Sequence, residues 1–411
     1  MQPNAQRILQ LLDDPEQMES LYRQDRQSFR DALEEASKTA PDSTVLRVWR
    51  ARLEYHEDAV ATKRRMWHAV VIGAVVGALV RIPTVWLEID WYFPRLVPSL
   101  VIASLAAYFW MEDRDRRRLI AGLLLLAVAV VYTALLPDYT DSVVMALIHL
   151  PILFWAFLGL VFAGASWRDL EARIRFVRYN GDLLILGSLV GLGVFVFSGI
   201  TVALFEMVFA DAAERYFENV GMVLAAAAPV TATYLYDVVF NRRTGIAPAL
   251  ARVFAPLFLI MTITYLVVAF LGGKNPFMDR SFLITVNGLL LVVLGMTVFS
   301  IAERGEHATL RWTDYVNVAL LVVTLVIDGI ALSAILFRLT SYGFTPNRVV
   351  VLGANLVIMT HLVWACAAYV GLIRAKGGPE AVLRAVVGYL PVYVAWAALV
   401  AFVLPLVFRF A

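Results

Sequence analysis

The chain has 411 residues, 61% of them hydrophobic and 17% charged, whereas soluble domains average roughly 45–50% apolar and about 25% charged. Mean hydropathy is +0.74 and the formal net charge is +2. This composition excludes a soluble globular protein and a basic nucleic-acid binder, and it predicts an all-α, polytopic helical bundle in a lipid bilayer. The charges are unevenly spread, since residues 1–65 carry 12 acidic and 11 basic side chains. Two regions follow: a polar segment at 1–65 and a transmembrane helical domain at 66–411.

Residues 1–65 read as a small helical hairpin. Pro15 after Asp13-Asp14 is a helix start, and Met18, Leu21, Tyr22, Phe29, Leu33 and Ala36 recur at helical spacing. Thr39 to Ser43 breaks the pattern, and a second helix begins near Thr44 with Leu46, Trp49, Leu53 and Val60 on one face. Neither amphipathic helix buries its stripe alone, so the two are expected to pair. The segment is short for a core of its own, which suggests that it leans on the membrane region or on a protein partner. The opening residues lack the basic region, apolar core and cleavage site of a signal peptide, so the first span is expected to direct insertion.

Eleven apolar spans follow, at 66–87, 95–111, 118–136, 142–165, 182–208, 219–239, 250–272, 281–301, 315–337, 347–373 and 388–410. The second and third are the shortest, and one re-entrant pair could mimic them. Alternate loops hold most of the Lys and Arg: Lys63 to Arg65, Arg114 and Arg116 to Arg118, Arg168, Arg173, Arg175, Arg178, Arg242, Arg243, Arg252, Arg304, Arg311, Arg374, Lys376 and Arg384. The other loops hold Arg95, Arg215, Lys274, Arg280, Arg338, Arg348 and Arg409. By the positive-inside rule the N-terminus is cytoplasmic and the C-terminus outside, with Trp67, Trp86, Trp91, Trp110, Trp167 and Trp312 at the interfaces. An odd count also admits two inverted five-helix repeats plus one helix, a transporter plan.

Ionisable groups inside spans cost about 2.5–3.5 kcal/mol each on insertion scales and so mark functional candidates. Asp328 lies mid-way along span nine and His361 mid-way along span ten. Arg81, His149 and Glu206 lie toward the outer ends of spans one, four and five, with Asn287 and Asn355 at similar depth. One reading is a pocket or proton relay open to the outer face, with Asp328 exchanging the proton, His361 relaying it, and Arg81 as counter-ion or anion clamp. The other is that Arg81 and Glu206 snorkel to the interface while Asp328 pairs with a neighbour to fix helix register. Asp237 beside Arg242 and Arg243 reads as an interfacial ion pair, and Gly187 with Gly191 as a small-residue packing site.

Enzyme signatures are absent from the sequence. The five histidines are scattered, Cys366 is the single cysteine, and there is no H-E-x-x-H, P-loop, dinucleotide fingerprint or G-x-S-x-G elbow. Neither a metal nor a cofactor is expected, and Glu303 to His307 reads as a solvated loop. A lipid-modifying enzyme would have only Glu88, Asp90 and His149 to work with.

The most specific local signal is Arg338-Leu-Thr-Ser-Tyr342-Gly343-Phe-Thr345-Pro346-Asn-Arg348. Gly343 suits a helix C-terminus, Thr345 an N-cap and Pro346 the first helical position, so a helix stops and restarts here. Arg338, Tyr342 and Arg348 on the arginine-poor side suit a phosphate headgroup or an anionic solute, with snorkelling as the plainer account. The R-x-x-x-Y-G-x-T-x-x-R string, together with Arg252-Val-Phe-Ala-Pro256-Leu onward to Tyr265, resembles the bacterial membrane family termed domain of unknown function 4153, over about residues 180–375. The N-terminal LLDDPEQMESLYRQDRQSFRDAL is similar to a helical preface on some such proteins. The resemblance implies a polytopic architecture in a bacterial inner membrane and no activity. The expected function is a transporter or permease for a small solute, ion or lipid, possible proton coupling resting on Asp328 and His361. The alternative is a membrane scaffold or sensor whose residues 1–65 dock a cytoplasmic protein.

Overall fold

The structure, a computed structural model, describes residues 4–209, 211–242, 246–271, 280–304 and 310–410. Among these residues every regular element is helical. Contacts divide the chain into two compact units, Met1–His68 and Ala69–Ala411.

The first unit holds α1 (Ala5–Gln10), α2 (Pro15–Gln24), α3 (Arg26–Thr39) and the opening turns of α4 (Thr44–Arg81). The expected two-helix hairpin is therefore a four-helix arrangement. The extra break falls at Asp25, whose carboxylate accepts from the Ser28 N–H at 3.1 Å and from Ser28 Oγ at 2.7 Å, a local competitor to continued helix. Asn4 and Asp14 cap α1 and α2 in the same way. Ile8, Met18, Tyr22, Phe29, Leu33, Ala36, Leu46 and Trp49 are buried together, and the Tyr22, Phe29 and Trp49 rings lie 5.1–5.7 Å apart. The segment thus holds a core of its own, because α1 and the α2–α3 corner supply faces that a hairpin lacks. Glu19 lies 2.8 Å from both Arg23 and Arg52. The hydrogen bond from Arg23 holds its carboxyl below the usual value, burial opposes this, and Arg52 adds to the lowering.

The second unit is a membrane bundle. Ten helices among the described residues are long and apolar enough to cross a bilayer: the later part of α4, then α5 (Ile89–Asp113), α6 (Arg116–Leu135), α7 (Asp141–Ala163) and α8 (Leu170–Glu206), followed by a rod of α9 (Ala212–Tyr216) and α10 (Met222–Tyr234) with π-helical turns at Phe217–Gly221 and Leu235–Val239. After α11 (Ile246–Leu271) come α12 (Arg280–Arg304), α13 (Trp312–Tyr342) and α14 (Pro346–Ile373). The last span joins α15 (Pro379–Val387), α16 (Leu390–Ala398) and α17 (Leu404–Val407). With the 26-residue α11 as the eleventh apolar helix, each expected span has its helix. The two short spans are separate helices of 25 and 20 residues, each long enough to cross alone.

Packing differs from expectation in α8. Its 37 residues extend about 55 Å at 1.5 Å per residue. The turns before position 182, with Ala172, Ile174, Phe176, Val177 and Tyr179, are buried, whereas Leu189, Leu192 and Phe195 are exposed. A side chain added at Gly187 or Gly191 would meet nothing within 4 Å, so neither glycine is a helix-packing contact. At Gly353 the opposite holds. A Cβ there would fall 2.0 Å from the Trp396 ring, so α16 seats its indole in the notch that glycine leaves in α14. One turn further along, the Tyr389 hydroxyl donates to the Val357 carbonyl at 3.0 Å.

Candidate functional site between α12, α13 and α14

One face of α13 alternates in steps of four and three: Asn317, Leu321, Thr324, Asp328, Ala331 and Ile335, all buried, continuing to the half-buried Arg338. That spacing keeps side chains on a single helical stripe. From Asn317 to Arg338 it runs about 32 Å at 1.5 Å per residue, close to the roughly 30 Å of a bilayer's hydrocarbon core. The corresponding stripe of α14 is Arg348, Val351, Asn355, Ile358, Leu362, Ala365 and Tyr369. The two stripes meet. Asn317 Nδ2 donates to the Tyr369 hydroxyl at 3.0 Å and to Ser300 Oγ at 2.7 Å, and Leu321 packs among Ile358, Leu362 and Ala365.

Asp328 lies between the polar ends of this seam. It is 0% exposed, and neither carboxylate oxygen has a hydrogen-bond partner. Thr324, one turn away, donates to the Leu320 carbonyl at 2.7 Å. Arg81 does not reach the carboxylate, because its guanidinium is bonded to Asn219 at 2.8 and 3.1 Å and to Thr84 at 2.8 Å. His361 faces the last span instead. Its Nδ1 is 2.8 Å from the Tyr393 hydroxyl, and its ring stacks on Tyr389 at 4.7 Å between centroids. The Ala385 carbonyl lies near the ring, but Nε2 has no partner at hydrogen-bond geometry.

Above Asp328 the seam opens into a cleft of about 320 Å³. Leu283 and Asn287 of α12, Ile335 and Arg338 of α13, and Thr345, Asn347, Arg348 and Val351 at the start of α14 line it, with Asp141 of α7. Ile335 lies two turns from Asp328 on the same stripe, about 10 Å along the axis. Asn287 also accepts from Asn355 Nδ2 at 3.0 Å, so the two candidate amides form one pair beside the cleft. The loop folds as its residues predict: Gly343 has φ +82°, Thr345 caps α14 by accepting from the Arg348 N–H, and Pro346 opens the helix. Arg348 then reaches back, its Nη1 donating to the Tyr342 and Gly343 carbonyls at 2.8 Å each, with its guanidinium 5.7 Å from the Tyr342 ring centroid. It satisfies carbonyls that end α13.

The structure thus brings Asn287, Asn355, Arg338, Tyr342 and Arg348 together and sets Asp328 beneath them. His149 donates within its own helix to the Met145 carbonyl at 2.8 Å, and Glu206 is exposed at the end of α8. Asp237 is ion-paired to Arg242, which also meets Glu112 at 2.8 Å; it is buried and accepts from the Tyr108 hydroxyl at 3.0 Å. Arg243, Lys274, Glu306 and His307 lie outside the described residues, as do the side chains of Arg252, Arg280, Glu303 and Arg304.

Residues that the sequence reading passed over include Asn317, Tyr369 and Tyr393. Asn317 had a signal, since it precedes Asp328 by three helical turns on the same face. The two tyrosines had none, because their roles depend on which helices meet. No family model, no curated protein and no solved structure matches this chain.

Proposed function

We propose that this integral membrane protein is a permease that moves a small solute along the α13–α14 seam, coupled to a proton carried by Asp328. The observation that carries this reading is the fully buried carboxyl with no partner on either oxygen. Burying an ionised carboxylate without a partner is among the costliest arrangements in a protein. Such a group is favourable only if the protein at some stage brings it water, a cation or a proton acceptor. The cleft two turns above supplies an approach, and the Asn317–Tyr369–Ser300 cluster supplies a polar group at the other end. In this reading the arginine-rich loops face the cytoplasm of a bacterial inner membrane and the cleft faces outward, following the charge asymmetry and the family resemblance.

Asp328→Asn tests it in proteoliposomes with an imposed pH gradient. The expected result is loss of proton-coupled flux with unchanged abundance and melting temperature. Flux equal to the parent protein removes Asp328 from the mechanism. A second reading, a scaffold that docks a cytoplasmic protein, draws support from the self-contained core of Met1–His68. It predicts that cellular function survives Asp328→Asn and is lost when residues 1–43 are deleted.

A further inference from the structure

We infer that the groove framed by α4, α5, α6 and α7 is a binding site for one acyl chain of an anionic phospholipid, whose headgroup meets the arginines of the α5–α6 turn. The inference uses no residue of the α13–α14 seam. The groove encloses about 400 Å³, within the roughly 300–1,000 Å³ of ligand sites. Its floor is buried, with Ser104 and Ala106 of α5 and Phe154 of α7. Its rim is open, since Val75 of α4 and Leu123 of α6 are more than half exposed. The groove therefore faces the lipid side of the bundle.

Length and depth select the occupant. α5 lines the groove from Leu100 to Met111 and α6 from Arg118 to Leu126, about 17 and 12 Å at 1.5 Å per residue. Half of a roughly 30 Å hydrocarbon core is about 15 Å. The groove thus runs from the arginine-rich face to the middle of the bilayer, the depth that the chains of one leaflet occupy. The polar residues of its lining are satisfied without an occupant: Ser104 donates to the Val101 carbonyl at 2.6 Å, Trp110 to the Asp115 carbonyl at 2.9 Å, and Arg118 is paired with Asp113 and Asp115. What remains for a ligand is an apolar, chain-shaped surface. Lipid tails are as apolar as that surface, so hydrophobic transfer alone favours no lipid over another. Charge makes the selection. Asp113 and Asp115 are taken up by Arg118, and Glu112 meets Arg242. Arg114, Arg116 and Arg117 are exposed in the same turn, which puts an excess of positive charge at the level of the headgroups.

The test uses the full-length protein in maltoside micelles stripped of lipid, with dioleoyl phosphatidylglycerol or dioleoyl phosphatidylcholine as probe and native mass spectrometry to count bound lipids. One saturable phosphatidylglycerol is expected, held at least about fivefold more tightly than phosphatidylcholine. Ala103→Phe, which fills the groove from its floor, should weaken it at least about tenfold. Joint Arg116→Gln and Arg117→Gln replacement should bring phosphatidylglycerol down to the level of phosphatidylcholine, while Ala203→Phe, at an exposed position of α8, leaves binding unchanged. A second measurement needs no filled groove. Phosphatidylglycerol with brominated chains should quench tryptophan fluorescence saturably, and that component should vanish in Trp110→Phe, whose ring lines the site. Should Ala103→Phe fail to fold, the quenching decides alone. Phosphatidylglycerol retained by a folded Ala103→Phe as by the parent, or saturable quenching that survives Trp110→Phe, overturns the site. Equal affinity for the two lipids, or indifference to the arginine pair, overturns the anionic headgroup.

Discussion

A carboxyl with no partner costs stability, and replacing it should return that cost. Asp328→Leu is therefore expected to raise the melting temperature in detergent, by the equivalent of about 1–3 kcal/mol, because it removes two unsatisfied buried oxygens. A fall in melting temperature would show that the carboxyl is a structural anchor. Protein function commonly retains such destabilising groups. At this scale the sequence was readable wherever depth along a helix decides the matter: Asp328 and Asn355 are buried at the positions their spans imply, and Gly343, Thr345 and Pro346 end and restart helices as their chemistry requires. It was unreadable where the partner comes from another helix. Nothing local says that His361 meets Tyr393 or that Arg81 meets Asn219, since three-dimensional neighbours are set by packing angles and rotations that one helix does not encode.

Among the elements, α5 and α6 show how a charge on the arginine-poor side is used. Arg95 is 2% exposed and donates to the Thr133, Leu136 and Pro137 carbonyls at 3.2, 3.4 and 2.8 Å, between the Trp91 and Tyr139 rings. It closes the C-terminus of α6, where the last carbonyls have no intrahelical donors. Arg95→Leu should destabilise the bundle by about 2–4 kcal/mol, with faster hydrogen exchange confined to residues 130–138. Arg95→Lys should recover only part, since an ammonium lacks the guanidinium's fork. Uniform exchange rates in the leucine variant would rule out the capping role. Apolar length and loop charge made the eleven helices legible. The break at Asp25 escaped because a short-range cap overrode a continuous hydrophobic stripe. The Gly187–Gly191 pair misled because small residues permit close packing without requiring it.

For the molecule as a whole, two units with separate cores should unfold separately. Acid distinguishes them through Glu19, whose folded pKa lies below its ordinary 4.5. A depressed carboxyl contributes stability above its unfolded value and loses it as pH falls through the folded one. In the full-length protein, protection of the α2 amides should thus decline as pH drops below about 4.5 while the α13 and α14 amides hold. Glu19→Gln should lower that protection at neutral pH, by under about 1 kcal/mol for partly exposed pairs, and flatten the acid-dependent part. A mutant as acid-sensitive as the parent would exclude Glu19 as the source.

The notch at Gly353 has a mechanical consequence. With the Trp396 indole lodged in α14, Tyr389 tied to Val357, and His361 tied to Tyr393, α14 and the last span are joined at three successive turns, so any slide of one along the other has to break all three contacts. Moving α13 and α12 away from α14 would break a different set, the Asn317–Tyr369 and Asn355–Asn287 hydrogen bonds.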